Sequence, residues 1–330
     1  MTKDRVSHFG KVKDHYFLAI GAAVLVTLLW STSYILNKIA FQHHIGPFTL
    51  AGLRYSVSAV TLVLVRLILV NRNSIAPNKH VQKERVRIQL RPYYIIVLGV
   101  TGYLMAQGLQ YAGQILITPT QTSMMLSVGN TAALIVLDVC WLRELRCRSS
   151  FLGILAAMAG VIIFYFPWDF GGSHFTGIVL ILASCAGYAI HLGLTRHLLK
   201  NGKASPGDLV LMPMAIGAFG MLAIGLIFEG LPSFSWPLVG IILWLGIING
   251  SFAFSLWTWS QKHLRAYENS LINNLMLLEV AALDILILHR NFSVVEVLGL
   301  LIVGFAVVFV QIYSYFKRPT HQPDDDYLNN

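Results

Sequence analysis

Three sets of polar and aromatic residues recur at helical spacing within runs that are otherwise apolar. Trp30, Ser33, Tyr34 and Asn37 stand at positions i, i+3, i+4 and i+7, which is one face of a helix. Tyr103, Gln107, Gln110, Tyr111 and Gln114 form a second stripe, and Ser184, Tyr188, His191 and Thr195 a third. Polar groups turned toward hydrocarbon are costly, so in a membrane these faces must meet protein or water. Where they converge, the rings can pack the apolar body of an organic solute while the amides fix its polar ends. The same residue types also make the hydrogen bonds that hold membrane helices together, and spacing alone admits either use. Together with Asn273, the residues Trp30, Tyr34, Asn37, Tyr103, Gln107, Gln110, Tyr188 and His191 form the expected substrate-binding set.

Charges inside apolar runs are fewer. Glu279 lies near the middle of one, where an ionised carboxylate on a lone helix costs on the order of 3 kcal/mol. Such a group is paired, protonated or open to a water-filled path, so Glu279 is a candidate for proton coupling and also for a structural hydrogen bond to a neighbouring helix. At roughly 100° per residue, Asn273 and Asp284 share a face and Glu279 stands on another, so the three do not enter one small pocket from a straight helix. Asp284 is expected to pair with Arg54. Lys38 and Arg54 are expected to act as structural charges, snorkelling or capping carbonyls. His191 can carry protons or simply pack through hydrogen bonds. Three cysteines without a CxxC pair, and His43-His44 without a partner at ligand spacing, give neither a zinc site nor a disulfide framework. No metal and no cofactor is expected.

The elements that must position these residues follow from composition. Of 330 residues, 56% are hydrophobic and 12% charged, and the mean hydropathy is +0.65. Water-soluble chains carry about 25% charged residues, so a water-exposed globule is excluded. The expected fold is an all-α membrane protein with ten transmembrane helices, over residues 16–40, 48–70, 93–112, 118–142, 151–166, 175–198, 208–228, 236–259, 270–288 and 294–316. Each run suits, or nearly suits, a hydrocarbon layer of about 30 Å. The runs are continuous, whereas barrel strands would alternate every second residue. The first run ends in Asn37-Lys38 without a small-residue cleavage site and reads as a retained span.

The formal charge of +9 would suggest nucleic acid for a soluble chain. Here the basic residues flank apolar runs, so their role is orientation and the expected surroundings are a lipid bilayer, with no nucleic acid. Twenty of the 24 lysines and arginines fall in the two tails and alternate loops on one side; the opposite loops hold only Lys38 and Arg290, and Arg54 and Arg66 fall within the second run. Positive-inside bias then predicts a multi-pass protein of the cell membrane with both termini cytoplasmic. The halves also look alike. Gly21–Tyr34 followed by Pro47 parallels Gly177–Tyr188 followed by Pro206, and Asn130–Leu134 parallels Glu279–Leu283. Five spans per half is an odd number, so the second half enters from the opposite side: two inverted five-helix repeats, with a cytoplasmic tail at 1–15, repeats at 16–166 and 175–316, and a second tail at 317–330.

The run from Trp30 through Phe41, followed by Pro47-Phe-Thr-Leu-Ala-Gly-Leu-Arg54-Tyr, resembles the opening of the EamA domain of the drug/metabolite transporter superfamily. Leu142-Arg-Glu144-Leu is similar to that domain's glycine-glutamate turn, with Arg143 in place of glycine, and Leu278-Glu279 resembles its leucine-glutamate-proline without the proline. Leu288-His-Arg-Asn replaces the acidic turn. The resemblance implies a ten-helix transporter of small metabolites, often an exporter, with an acid in the second repeat and basic residues where Lys38 and Arg54 stand. The reading is therefore a secondary transporter of a small-molecule substrate such as an amino acid, working by alternating access through a central cavity. A non-transporting receptor or scaffold is the alternative, because polar stripes also serve packing. An enzyme is not expected: no HExxH, GxSxG or Walker motif is present.

Overall fold

The structure is a computed structural model that describes residues 3–75, 91–137, 148–166, 172–201, 208–261, 264 and 266–316. Among these residues there are ten helical rods and no strand. They are α1 (Lys3–Gln42), α2 (Pro47–Ile75), α3 (Pro92–Gln114), α4 (Pro119–Leu137), α5 (Arg148–Phe164), α6 (Gly172–Lys200), α7 (Asp208–Phe228), α8 (236–261), α9 (Ala266–Leu288) and α10 (Val294–Phe316). Six of them, α1, α2, α3, α6, α7 and α8, are long and apolar enough to cross a membrane. α1 begins at Lys3, ahead of its apolar span from Tyr16, in a stretch with no proline to stop it. The turn at Leu142–Leu145 lies outside the described residues.

Proline opens several rods, at Pro47, Pro92 and Pro119, where its missing N–H is no loss. Gly230, at a φ of 80°, closes α7, and its N–H bonds back to the Gly225 carbonyl at 3.1 Å. That left-handed conformation is open to glycine at little cost. Large apolar side chains such as Leu64, Ile68, Phe219, Ile227, Leu286 and Phe305 point away from the bundle, as lipid-facing positions require.

Glycine sets the closest crossings. At Gly52 a Cβ would stand 2.7 Å from the backbone nitrogen of Leu222, and at Gly225 2.6 Å from that of Thr49, so α2 and α7 meet backbone to backbone. Gly299 does the same for α10 against Phe164 and Gly160 of α5, and Gly113 with Gly177 for α3 against α6. Small residues at such points let membrane helices gain dispersion energy where no hydrophobic drive separates them from lipid. The other main contacts run α1 with α9 and α8, α4 with α6 and α9, α2 with α8, and α3 with α7.

Two rods change winding midway. Val100–Gly108 in α3 and Trp244–Phe252 in α8 are π-helical, each beginning eight residues into its rod. Wider winding breaks the ordinary i to i−4 ladder, and neighbouring side chains meet its carbonyls. Ser58 of α2 donates to the Gly246 carbonyl at 2.9 Å, and Trp30 of α1 donates to that of Asn249 at 3.0 Å.

Candidate functional site

α1, α2 and α3 bring a connected set of side chains together. Tyr55 of α2 donates to Gln107 Oε1 of α3 at 2.8 Å, and its ring meets that of Tyr103 edge-on at 5.4 Å. Tyr103 in turn meets the His191 ring of α6 at 6.1 Å. Arg54, next to Tyr55 and deeply buried, donates to the hydroxyl of Tyr111 and lies 5.2 Å over the Tyr55 ring. Tyr34 is buried as well, in a cluster with Met125, Cys185 and Val280 of α4, α6 and α9. These groups form a polar and aromatic layer between helices of both halves. It can contact an organic solute through phenol hydroxyls, one amide, ring faces and a guanidinium.

Other expected members are taken up in helix contacts. Asn37 donates to Gln114 Oε1 at 3.0 Å, and Gln114 donates to the Tyr34 carbonyl at 3.1 Å, so this pair ties α1 to α3. Trp30 is held by Asn249 and stacked against Phe254 and Trp257 of α8, with both ring centroids 5.3 Å away. His191 bonds through Nδ1 to the Leu98 carbonyl at 3.2 Å and fills the notch left by Gly102. Gln110 and Asn273 are half-buried on their helices. Tyr188 keeps 36% of its surface accessible.

The charged residues separate by face, as the helical angles require. Glu279 accepts from Thr27 Oγ1 at 3.0 Å and Ser31 Oγ at 2.8 Å, which places the carboxylate against α1. Asp284 faces α4. The expected Asp284–Arg54 pair does not form. Asp284 instead accepts from the backbone nitrogen and hydroxyl of Thr120, at 3.3 and 2.6 Å, and from Arg290 at 3.5 Å. The physical reason is the free N–H groups at the start of α4, which attract a carboxylate as strongly as a distant guanidinium does. Lys38 caps the end of α3 through the carbonyls of Ile115 and Ile117, both at 3.1 Å.

Several contributing residues carry weak sequence signals. Asn249 donates to the Leu29 carbonyl, Thr32 Oγ1 and Ser33 Oγ at 2.8, 3.2 and 2.7 Å. In sequence it is one amide between two glycines, and its role depends on the π-helical winding that turns it to α1. Tyr55 is one ring in an apolar run. Glu229 accepts from the Phe48 and Thr49 nitrogens at 3.0 and 2.8 Å and so caps α2, but it lies just past α7 and reads as a loop acid. At the start of α10, Ser293 and Glu296 form a reciprocal capping box, Ser293 N to Glu296 Oε2 at 2.8 Å and Glu296 N to Ser293 Oγ at 3.2 Å.

Comparison with known proteins bears on both halves. The profile of the EamA-like transporter family matches residues 17–166 and again 175–312. An uncharacterized transporter YoaV of Bacillus subtilis (strain 168) is 22% identical over 304 residues, covering 89% of this chain and 97% of that protein. An uncharacterized transporter of Archaeoglobus fulgidus is 24% identical over 297 residues, with the same two coverages, 89% and 97%. One solved crystal structure superposes with a TM-score of 0.64 at 14% identity, over 92% of this chain and 99% of the other, which shows the fold alone.

Proposed function

Because the chain belongs to the EamA-like transporter family and is a membrane transporter, we propose that it is a secondary transporter of a small organic solute, working by alternating access between two inverted five-helix repeats. The observation that carries this is the contact scheme. Replacing each helix by the one five places along exchanges α1·α9 with α4·α6, α3·α6 with α1·α8, and α2·α8 with α3·α7; α2·α7, α4·α9 and α5·α10 map onto themselves. The two π-helical stretches fall at matching places under the same exchange. A scheme that maps onto itself in this way supports two near-equivalent bundles rocking about a shared midline, the arrangement in which alternating access places its substrate.

The solute is proposed to sit in the layer of Tyr34, Tyr55, Tyr103, Gln107 and Tyr111, reached past Tyr188 and Gln110, with export as its direction. Both termini are proposed to be cytoplasmic and the membrane to be the cell membrane. Asn273 is proposed to border the same path. Glu279 is proposed to carry a coupling proton, since its two hydroxyl partners can donate to a carboxylate or turn to accept from a protonated one. Counterflow of amino acids and related metabolites in proteoliposomes, with and without a pH gradient, tests the reading. Transport of at least one solute, with gradient-driven accumulation lost in Glu279→Gln while exchange persists, is the expected result. No transport of any solute would leave a receptor or scaffold, and labelling of a cysteine at Ser173 from the cytoplasmic side alone would invert the topology.

A further inference from the structure

We propose that Arg54 is the anchor for a carboxylate on the solute, so that the substrate class is an organic acid, either simple or zwitterionic. This rests on the transport reading above. Arg54 is 7% accessible and stands seven residues into α2, about 10 Å from its start. NH1 is occupied by the Tyr111 hydroxyl, the guanidinium lies 5.2 Å from the Tyr55 ring and 6.0 Å from that of Tyr111, and Nε is buried without any acceptor.

The acids that could neutralise it are engaged elsewhere. Asp284 caps α4, Glu229 caps α2, Glu296 binds Arg290 at 2.7 Å and Glu279 binds α1. Among the described residues no carboxylate forms an ion pair with Arg54. Lys38 has two carbonyls and Arg290 has Glu296. A guanidinium stays charged at every relevant pH, and buried charge is retained where a partner compensates it. One phenol oxygen and two ring faces compensate only partly.

The geometry states what would complete the site. With NH1 held by Tyr111, the Nε–NH2 edge of the fork remains, and that edge matches the two oxygens of a carboxylate. Among the described residues no lysine or second arginine joins Arg54 in the layer, so its charge fits a single carboxylate better than a phosphate dianion. Tyr34, Tyr55 and Gln107 then lie beside the acid's body and can pack rings or bond a second polar group.

The test uses full-length purified protein with matched solutes: acetate, phenylacetate, L-leucine and L-phenylalanine, each against its amide. Thermal shift in detergent reads binding, and counterflow in proteoliposomes reads transport. The acids are expected to bind at least tenfold better than their amides, and Arg54→Gln is expected to lose that preference. In that variant the unliganded melting temperature is unchanged or raised, because no buried acid is orphaned. Arg54→Lys, which keeps charge but not the fork, is intermediate. Where Arg54→Gln does not fold, the comparison of acid with amide in the unmodified protein decides alone. Equal binding of acids and amides, no binding of any acid, or a destabilised Arg54→Gln with unaltered acid preference overturns the inference. Acid-selective binding without counterflow would keep the carboxylate site and overturn transport. Counterflow of amides as readily as acids would do the reverse.

Discussion

Substitution of Asp284 separates two ways of holding the bundle end at which α4 and α10 begin. Its side chain is 2% exposed and receives Thr120 Oγ1 at 2.6 Å, while Arg290 NH1 stands at 3.5 Å. Arg290 has nearer partners, Thr118 Oγ1 at 2.6 Å and Glu296 Oε1 at 2.7 Å. These distances describe a carboxylate cap on α4 with a guanidinium looking on, and the energetics should follow. A hydrogen bond to a charged group contributes about 1.5–3 kcal/mol, and a carboxylate at a partly buried helix start adds up to about 2 kcal/mol. Asp284→Ala should therefore lose about 3 kcal/mol, whereas Asp284→Asn, which keeps the acceptor oxygen and gives up the charge, should lose about 1–2 kcal/mol. Arg290 stands 3.5 Å away and is held by its nearer partners, so its direct coupling to Asp284 should stay below about 1 kcal/mol, a weak hydrogen bond's worth. Unfolding free energies of the single and double variants, from SDS titration in mixed micelles, give the coupling by a double-mutant cycle. Coupling above about 2 kcal/mol, or an Asp284→Ala cost no larger than that of Asp284→Asn, would refute the capping argument.

Other perturbations follow from the same geometry. Asn249→Ala removes donors to Leu29, Thr32 and Ser33; at about 0.6 kcal/mol for a typical interhelical bond in a membrane it should cost about 1–2 kcal/mol in the same titration. Trp30→Phe loses the bond to the Asn249 carbonyl and part of the ring contact with Phe254 and Trp257, so its cost should exceed about 0.6 kcal/mol, the worth of the bond alone. Gly299→Leu places a Cβ about where the Phe164 backbone nitrogen lies 2.6 Å away, and should lower the yield of folded monodisperse protein on size exclusion, while Gly240→Leu, with open space around it, should not. Tyr34→Phe and Gln107→Ala, which spare the packing of the buried Tyr34 ring, should weaken solute affinity at least tenfold with near-normal melting temperatures; parallel loss of both would assign these residues to packing.

The sequence was most legible where one physical rule acted on many residues. Continuous apolar runs bounded by proline and basic residues marked the rods, since hydrocarbon leaves a helix no other way to satisfy its backbone. The odd span count and the Gly21–Tyr34 and Gly177–Tyr188 likeness predict the inverted repeat on which the proposed function rests. Legibility fell where function depends on pairs brought together from distant helices. Periodicity put Trp30, Tyr34 and Asn37 on one face, but it is silent on which neighbour each height of that face meets. Trp30 is held by α8, Asn37 faces Gln114 of α3, and Tyr34 faces α4, α6 and α9.

The charges show why partner choice escapes sequence reading. Asp284 and Arg54 are opposite in sign and both lie within apolar runs, so pairing them is the simplest electrostatic expectation. Coulomb attraction alone does not decide it, because in an interior of low dielectric each charge takes whatever dipoles stand within hydrogen-bond reach. Thr120 offers Asp284 an N–H and a hydroxyl at once, and Tyr111 offers Arg54 a phenol. The two solutions are unequal. Asp284 gains the free end of a helix and a nearby guanidinium, which suits a permanent fastening. Arg54 gains a single oxygen and two ring faces, with Nε left bare. In a transporter, a charge left partly unsatisfied by its own chain is where binding energy remains for something that arrives and leaves.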